Sequence, residues 1–331
     1  MEASEDSELC FPQLLNASCV RPTRRHYEAG LSYILVVSIS LLTTILNLLV
    51  IVSISHFKQL HTSTNLLLLS LAVSDFFVGP LLLFQVMFVD GCWLLGDLLC
   101  SLCQYVAYVL SSVSVGTMVL ISIDRYVAVC RPLHYSSEIT QTRVQACVSL
   151  SWICSVIFQT LVLMDNLHQP GRFNSCVGEC VIVVNYVAGV ADVIFSFVAP
   201  ITVIIVLYIR VFVVAVTQAR ALRSHMAAVS VQHSVRVTAL RSELKAARTL
   251  GVVIAVFLMC LCPYYCVALT GQDNLISASS ALYTFVTNLY SFHSCLNPMI
   301  YAFFYPWFRK SINIIVTLKV LQPESGDANV L

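Results

Sequence analysis

Two carboxylates stand inside long apolar stretches of this sequence, and they are the residues there with the clearest chemistry. Asp75 lies in LSLAVSDFF, and Asp192 lies in VAGVADVIFSFVAPITVIIVLYI. A carboxylate on a helix that crosses a bilayer costs several kcal/mol unless a partner offsets that cost. Each acid is therefore either a binding site for a cation or a member of a polar network between helices.

Asp192 has no obvious cationic partner in the sequence. It precedes Pro200 by eight residues, or about two helical turns, and no Lys or Arg falls at a comparable depth of any apolar stretch. A dry carboxylate would protonate. Asp192 is thus either the counter-ion of a cationic ligand in a solvated cavity, or a neutral or water-satisfied residue.

Aromatic and hydroxyl side chains on neighbouring apolar stretches are expected to line the cavity of Asp192. Their rings offer cation–π faces, and their hydroxyls offer hydrogen bonds to an ammonium. The residues are Tyr105, Tyr108, Ser111, Ser112, Tyr264, Tyr265 and Thr287.

Asp75 has polar candidates around it on other apolar stretches, namely Ser114, Ser294 and Asn297. A carboxylate with hydroxyl groups and an amide suits a hard cation such as sodium, which prefers oxygen ligands. The same group also suits a water-bridged structural network. His293 is a third ionisable side chain at this depth.

The stretch SIDRYVAVCRPLHY carries the adjacent pair Asp124 and Arg125 at the end of an apolar stretch. Arg125 is either a cation that snorkels to the membrane surface, or a switch that pairs with Asp124 and with Glu243 in RSELKAARTLG. Proline kinks a helix and frees carbonyl groups. Candidate hinges are Pro200, Pro263 and Pro298.

The elements that carry these residues are predicted to be membrane-spanning helices. The 331 residues are 58% hydrophobic and 11% charged, against about 25% charged in soluble domains. Runs of about 20 apolar residues can span a bilayer. Seven occur, at roughly 31–55, 64–89, 98–123, 144–164, 181–209, 249–272 and 276–304.

We therefore predict an all-α membrane protein, a seven-transmembrane helix bundle with a short amphipathic eighth helix. Its expected parts are an extracellular tail (1–30), the membrane domain (31–304), and an amphipathic helix with a cytoplasmic tail (305–331). The net charge of +1 gives no reason to expect a nucleic-acid partner. The polar, acidic start predicts no cleavable signal peptide, so the first span would direct insertion.

Basic residues predict the orientation of the bundle. With the N-terminus outside, the outer face holds four of the 18 Lys and Arg residues, and the other 14 lie at the inner side. A glycosylation sequon at Asn16 falls on the outer side. These features predict a multi-pass protein of the plasma membrane with an extracellular N-terminus.

Six of the 14 cysteines fall on the predicted outer side, where disulfides persist. They are Cys10, Cys19, Cys92, Cys100, Cys176 and Cys180. Two bridges are expected, with two thiols left over, and the sequence alone does not give the pairing.

The residues and their order resemble the class A (rhodopsin-like) G-protein-coupled receptors. The matches include Asn47 in LNLLV, Asp75 in LAVSD, DRY at 124–126, and NPMIY at 297–301; others are Cys100, Trp152, Pro200, Tyr208 and Pro263. The stretch HSCLNPMIYAFFYPWF more narrowly resembles the fingerprint of the trace amine-associated receptors, with His293 in place of Asn.

The resemblance implies an olfactory-type receptor for a small amine, which signals through a stimulatory G protein to cyclic AMP. It implies a disulfide Cys100–Cys180 and a second from the N-terminal tail to Cys176, for which we choose Cys19 and leave Cys10 open. No cofactor is expected beyond an allosteric sodium ion at the Asp75 group. Partners would be the amine, the G protein and membrane lipid. The implied coupling residues are Asp124, Arg125, Tyr126, Tyr208, Glu243, Phe257, Pro263, Asn297, Pro298 and Tyr301.

Three positions depart from the family pattern. Ala107 stands where most amine receptors carry an Asp, and Asp192 instead resembles a fish-type branch that binds amines in the opposite orientation. Ala107 is then expected to face Asp192 across one cavity. Leu261 replaces a Trp that couples binding to activation, so Phe257 and Pro263 are expected to carry more of that coupling. His293 would weaken sodium binding when protonated.

The main alternative is a class A receptor for a non-amine ligand. A retinal-binding light sensor would need a Lys in the last span, and residues 276–304 contain none. A transporter is expected to show inverted repeats or paired broken helices, which are not apparent. No spacing of nucleophile and base, or of metal ligands, suggests an enzyme.

Overall fold

The computed structural model describes residues 8–14, 16–21, 26–226, 251–252, 254–267, 281–304, 306–322 and 325–330. Within these ranges the chain is mostly helical and has no β-strand beyond isolated bridges. The long helices are α1 (His26–His56), α2 (Ser63–Asp90), α3 (Asp97–Cys130), α4 (Gln141–Val162), α5 (Tyr186–Val193, Ile194–Val198 and Ala199–Met226), α6 (Ile254–Val267), α7 (Ala281–Phe304) and α8 (Pro306–Val316).

This architecture matches the predicted helical bundle. Among the described residues, α1 to α5 are each long and apolar enough to cross a membrane. About half of the most apolar part of α2 and of α3 is buried inside the protein, against 11% for α5 and 17% for α4. The exposed apolar side chains of α4 and α5 are what a lipid-facing surface requires, because hydrocarbon does not penalise them.

The ends of α5 differ from the predicted span at 181–209. The helix begins at Tyr186, where the Asn185 side chain caps it by accepting a 2.8 Å hydrogen bond from the backbone N–H of Ala188. It continues to Met226. Hydropathy marks only the part of a helix inside the bilayer, so it did not reveal the extension.

A π-helical stretch, Ile194–Val198, interrupts α5 and begins two residues after Asp192. Pro200 has no N–H, and its ring crowds the carbonyl group of Ser196 four residues earlier. A locally wider turn relieves that conflict, and such turns are frequent at functional sites. The stretch therefore sets the directions of the side chains around Asp192.

Gly79 allows α1 and α2 to approach closely. A Cβ atom at this position would lie 2.1 Å from the Thr44 hydroxyl oxygen and 3.1 Å from the Ser40 carbonyl oxygen. The Ser40 hydroxyl donates a 2.7 Å hydrogen bond to the Gly79 carbonyl. A small residue with an interhelical hydrogen bond is a common way to join membrane helices.

One end of the bundle carries three disulfides, and we call it the disulfide end. Cys100–Cys180 and Cys19–Cys176 are bonded as the resemblance implied. Cys10–Cys92 is also bonded. The expectation that two outer thiols remain unpaired is therefore wrong, because the tail folds back far enough to bring Cys10 to the loop after α2.

The N-terminal tail packs on the disulfide end, where disulfides and isolated β-bridges hold it in place. Leu9 pairs with Val20 and Ser18 pairs with Val177 as isolated bridges. Gly178 adopts a φ of +107°, and an added Cβ there would lie 3.0 Å from the Cys10 Cβ. Asn16 is exposed on the turn of the tail, so its side chain is accessible to modification.

The opposite end, which we call the Arg125 end, is closed by α8 and the C-terminal tail. Trp307 and Phe308 of α8 are buried in the main apolar cluster. The tail then returns to the turn between α1 and α2, where Lys58 Nζ lies 3.0 Å from Asp327 Oδ1. Val330 is fully buried, and its backbone N–H donates to Gln59 Oε1 at 3.3 Å.

The Cys10–Cys92 bridge predicts a measurable loss of stability when it is removed. Cys10→Ser is expected to cost about 2–4 kcal/mol, because the disulfide restricts the unfolded chain. The measurement is the thermal midpoint in detergent. Cys154→Ser is the control, since Cys154 is an exposed free thiol.

Peptide mapping without reduction tests the bridge directly. A peptide pair that joins Cys10 to Cys92 is expected. Free thiols at both positions in the mature protein would contradict the bridge.

Candidate functional site

Asp192 is half-buried on α5, and its two carboxylate oxygens differ in their surroundings. Oδ1 accepts hydrogen bonds from the Ser196 hydroxyl at 2.8 Å and from Gln159 Nε2 of α4 at 3.0 Å. Within the described residues, Oδ2 has no hydrogen bond and no cationic side chain lies within 4.0 Å of Asp192. One oxygen is thus fixed by the protein, and the other remains available.

A chain of aromatic rings leads from Asp192 toward the bundle centre. Tyr265 stacks on Phe197 with ring centroids 4.2 Å apart, and it interacts electrostatically with Asp192. The ring centroid of Tyr264 lies 5.5 Å from that of Tyr265 and 4.8 Å from that of Tyr290. These faces can attract a cation bound near the carboxylate.

A cavity of about 90 Å³ lies between α2, α3 and α7. Ala107, Ser111 and Tyr290 line it, and the Tyr290 hydroxyl donates a 2.5 Å hydrogen bond to Ser111. Asp192 is not among the lining residues. This lining does not test whether Ala107 and Asp192 face one another, and that expectation stays a prediction. The ring chain through Tyr290 and Tyr264 leads from the cavity to the surroundings of Asp192.

The other predicted lining residues have different surroundings. Tyr105 lies at the contact of α3 with α4, where its hydroxyl and that of Thr160 are 3.0 Å apart. Tyr108 lies near Tyr265. Ser112 is half-buried on α3. The Thr287 hydroxyl on α7 is buried, without a hydrogen-bond partner in the described part of the chain.

The predicted group around Asp75 is brought together by α2, α3 and α7. Asp75 is fully buried. Asn297 Nδ2 donates to its Oδ2 at 2.8 Å, and the Ser114 hydroxyl donates to its Oδ1 at 3.4 Å. Ser294 is fully buried, and its hydroxyl lies 3.2 Å from His293 Nε2.

His293 joins the Asp75 group to the ring chain. Its Nε2 lies 4.0 Å from Asp75 Oδ1, which is an ion pair when the ring is protonated. Its Nδ1 contacts the Tyr290 carbonyl oxygen. The Phe257 ring packs edge-on against the His293 ring, with ring centroids 5.3 Å apart. His293 therefore occupies a central position between the cavity, the Asp75 group and α6.

Arg125 is buried in a compact polar cluster at its end of the bundle. Its Nε donates to Asp124 Oδ2 at 2.9 Å, and its guanidinium donates to the Thr64 hydroxyl at 2.8 Å. Tyr135, in the loop after α3, donates its hydroxyl to Asp124 Oδ1 at 2.9 Å. Burial, and then the Asp124 carboxylate, raise the pKa of Tyr135 to about 12, so this phenol remains a donor at neutral pH.

The remaining switch residues that the structure describes lie on α3, α5, α6 and α7. Tyr126 packs against Val129 and Val211, and Tyr208 lies beside Gly251. Pro263 and Pro298 lie inside α6 and α7, as predicted for hinges. Leu261 and Phe257 are both buried in the main apolar cluster. Glu243 and the side chain of Tyr301 lie outside the described residues.

Two parts of the site were missed by sequence reasoning. Gln159 is a neutral amide in an apolar run, and a neutral amide marks a site less clearly than an ionisable group does. Its signal was available, because Ser155, Gln159 and Val162 share one buried face of α4 at helical spacing. Thr64 and Tyr135 gave no local signal, since their link to Asp124 depends on the packing of α2 against the loop after α3.

Comparison with known proteins decides the family. A model of the seven-transmembrane receptors of the rhodopsin family matches residues 46–301. Trace amine-associated receptor 13c of Danio rerio is 34% identical over 98% of this chain and 97% of that receptor. Trace amine-associated receptors 4 and 1 of Mus musculus are 32% and 36% identical, over 99% and 91% of this chain and 96% and 93% of their own lengths.

The chain belongs to the trace amine-associated receptors. As a rhodopsin-like receptor it is a multi-pass protein of the plasma membrane and not an enzyme. Receptors of this class bind a small-molecule ligand and a G-protein partner. The Asp75, Arg125 and Asp192 groups are thus three polar sites within one trace amine-associated receptor.

The contact between Asn297 and Asp75 predicts that Asn297→Ala destabilises this trace amine-associated receptor. The change removes an amide donor from a fully buried carboxylate, and a hydrogen bond to a charged group is worth about 1.5–3 kcal/mol. A fall of several degrees in the thermal midpoint in detergent is expected. Ser291→Ala is the matched control, because Ser291 is buried on the same helix and bonds only its own turn. Equal thermal midpoints for the two variants would show that the hydrogen bond from Asn297 to Asp75 contributes less than this free energy.

Proposed function

We propose that this receptor senses amines, with the ligand ammonium paired with Asp192. The observation that carries the proposal is the difference between the two carboxylate oxygens of Asp192. Oδ1 accepts hydrogen bonds from Ser196 and Gln159, and Oδ2 accepts none among the described residues. The names of the relatives, which are trace amine-associated receptors, support the same ligand class. The nearby tyrosine rings add cation–π attraction.

The proposed orientation places the disulfide end outside the cell and the Arg125 end inside. The distribution of basic residues and the exposed sequon at Asn16 support it. The amine then enters from the outside, and Asn16 carries the glycan. An olfactory role for the receptor belongs to the same proposal and follows the resemblance.

Signal transfer in this proposal ends at Arg125 and a stimulatory G protein that raises cyclic AMP. The bonds from Arg125 to Asp124 and Thr64 hold the guanidinium inside the bundle. Activation would release it toward the G protein as α6 moves. The proposed restraint by Glu243 remains a prediction, because that residue lies outside the described part of the chain.

The group around Asp75 fits a sodium ion in its donor chemistry. One carboxylate and the hydroxyls of Ser114 and Ser294 supply oxygen ligands, which a hard cation prefers. We propose that sodium, when bound, supplies a positive charge that stabilises the resting state. A protonated His293 lies close enough to Asp75 to compete for the same carboxylate.

A receptor for a non-amine ligand is the second candidate function. The observation in its favour is that Asp192 already accepts two hydrogen bonds from the protein. Those donors partly satisfy the carboxylate without a cation. A screen of amines against matched alcohols and acids separates the two proposals.

Asp192→Asn is expected to abolish the amine response while the receptor still reaches the cell surface. Loss of one member of a desolvated charge pair costs roughly 3–5 kcal/mol, which is on the order of a hundredfold or more in potency. Asp192→Glu is the matched control, which keeps the charge and is expected to retain a weakened response. The measurement is a cyclic AMP dose response with surface expression recorded. Unchanged potency in well-expressed Asp192→Asn would refute the counter-ion role.

Arg125→Ala is expected to lose the cyclic AMP response while ligand affinity stays within a few fold. Arg125 lies at the end of α3 remote from Asp192, so its side chain has no route to the ligand. Radioligand or fluorescent-amine binding measures affinity, and cyclic AMP measures coupling. Parallel loss of affinity and signalling would indicate a structural role for Arg125.

A further inference from the structure

Gln159 is a polar residue that the proposed counter-ion role of Asp192 leaves unexplained. It lies on the inward face of α4 and is 1% exposed. Its Nε2 donates to Asp192 Oδ1 at 3.0 Å and approaches the Ser196 hydroxyl oxygen at 3.4 Å. A glutamine inside a membrane-spanning helix is costly unless its amide is satisfied.

The hydrogen bonds fix which way the amide points. A carboxylate only accepts, so the amide NH₂ must face Asp192, and the amide oxygen must face elsewhere. The Ser196 hydroxyl donates to the same Oδ1, which leaves its oxygen to accept from Gln159. The three contacts are consistent with one another only in this arrangement.

The amide oxygen of Gln159 is then a buried acceptor on the same amide group whose nitrogen meets Asp192. It has no hydrogen-bond partner in the part of the chain that the structure describes. Buried acceptors are normally paired, and each exception calls for a physical explanation. A donor brought by the ligand supplies one, since the oxygen belongs to the same amide head that touches Asp192.

We propose that Gln159 Oε1 is a second ligand contact, which makes the receptor selective for primary over tertiary amines. The inference rests on the proposed pairing of Asp192 with an ammonium. A primary ammonium has three N–H donors, so it can bond both the Asp192 carboxylate and the Gln159 amide oxygen. A tertiary ammonium has one N–H, which the carboxylate takes, and its alkyl groups would leave Oε1 unpaired.

The direction of the selectivity follows from the cost of an unpaired buried acceptor. A site built to hydrogen-bond a ligand group rejects an analogue that lacks it more strongly than an apolar pocket rejects an extra methylene. A hydrogen bond to a charged group corresponds to about ten- to a hundredfold in affinity. The preference should therefore exceed any difference due to shape alone.

The test in the unmodified receptor uses isomeric amines with equal carbon counts, such as hexylamine and N,N-dimethylbutylamine. Equal composition keeps the apolar contribution to binding similar. The primary isomer is expected to be at least about tenfold more potent in the cyclic AMP dose response. Equal potency, or a preference for the tertiary isomer, would overturn the proposal. This test needs no variant, so it stands even where a substitution impairs folding.

Gln159→Met then tests the residue itself, because methionine is similar in length and carries no amide. The ratio of primary to tertiary potency is expected to fall about tenfold or more, mainly through a loss for the primary amine. Ser155→Ala, one turn earlier on the same buried face of α4, is expected to leave the ratio unchanged. Ser196→Ala removes a donor to Asp192 and is expected to weaken both isomers alike.

The outcomes separate this inference from the proposed function. An Asp192→Asn variant that keeps its amine response removes the counter-ion role and, with it, the role of Gln159. Loss of response in Asp192→Asn with an unchanged potency ratio in Gln159→Met leaves the counter-ion role in place. That second result would mean that Gln159 only positions the carboxylate, and it would overturn the ligand contact.

Discussion

A carboxylate inside a lipid-embedded bundle must be met by donors or by a cation, and this constraint organises the receptor. The two acids meet it in different ways. Asp75 is fully buried and receives hydrogen bonds from α3 and α7, so it joins three helices at the centre. Asp192 is half-buried, with one oxygen bonded by the protein. The first arrangement suits a conformational element, and the second suits a site that a ligand completes.

The elements around these acids are held by contacts that do not depend on hydrophobic burial. Lipid is as apolar as a leucine side chain, so close packing and interhelical hydrogen bonds must join the helices. Gly79 lets α1 and α2 approach, and Trp152 of α4 donates its indole N–H to Ser70 of α2 at 3.1 Å. The disulfides fix one end of the bundle, and the cluster of Arg125, Asp124 and Tyr135 fixes the other. Pro263 of α6 and Pro298 of α7 lie between these fixed ends, and their role as hinges stays a prediction.

The sequence predicted those parts of the site that depend on residue type and depth. The helical bundle followed from apolar runs, and the Asp75 group followed from scarce polar residues at one depth. Contacts set by helix rotation were harder to predict. Hydropathy locates Ala107 and Asp192 by depth alone, and whether they face each other depends on how α3, α5 and α6 turn. Gln159 was missed because neutral amides receive less weight than charges, and the Cys10–Cys92 bridge because a tail carries no periodic pattern.

The docked C-terminal tail has a practical consequence for work on this receptor. Val330 is buried at the turn between α1 and α2, next to an ion pair of Lys58 with Asp327. Ala328, two residues before that buried side chain, packs against the same apolar cluster, so a bulky label attached there would crowd it. Such a label would strain or displace the docked segment at the Arg125 end of the bundle. Labels are better attached to a side chain of this region that is exposed, such as Lys319.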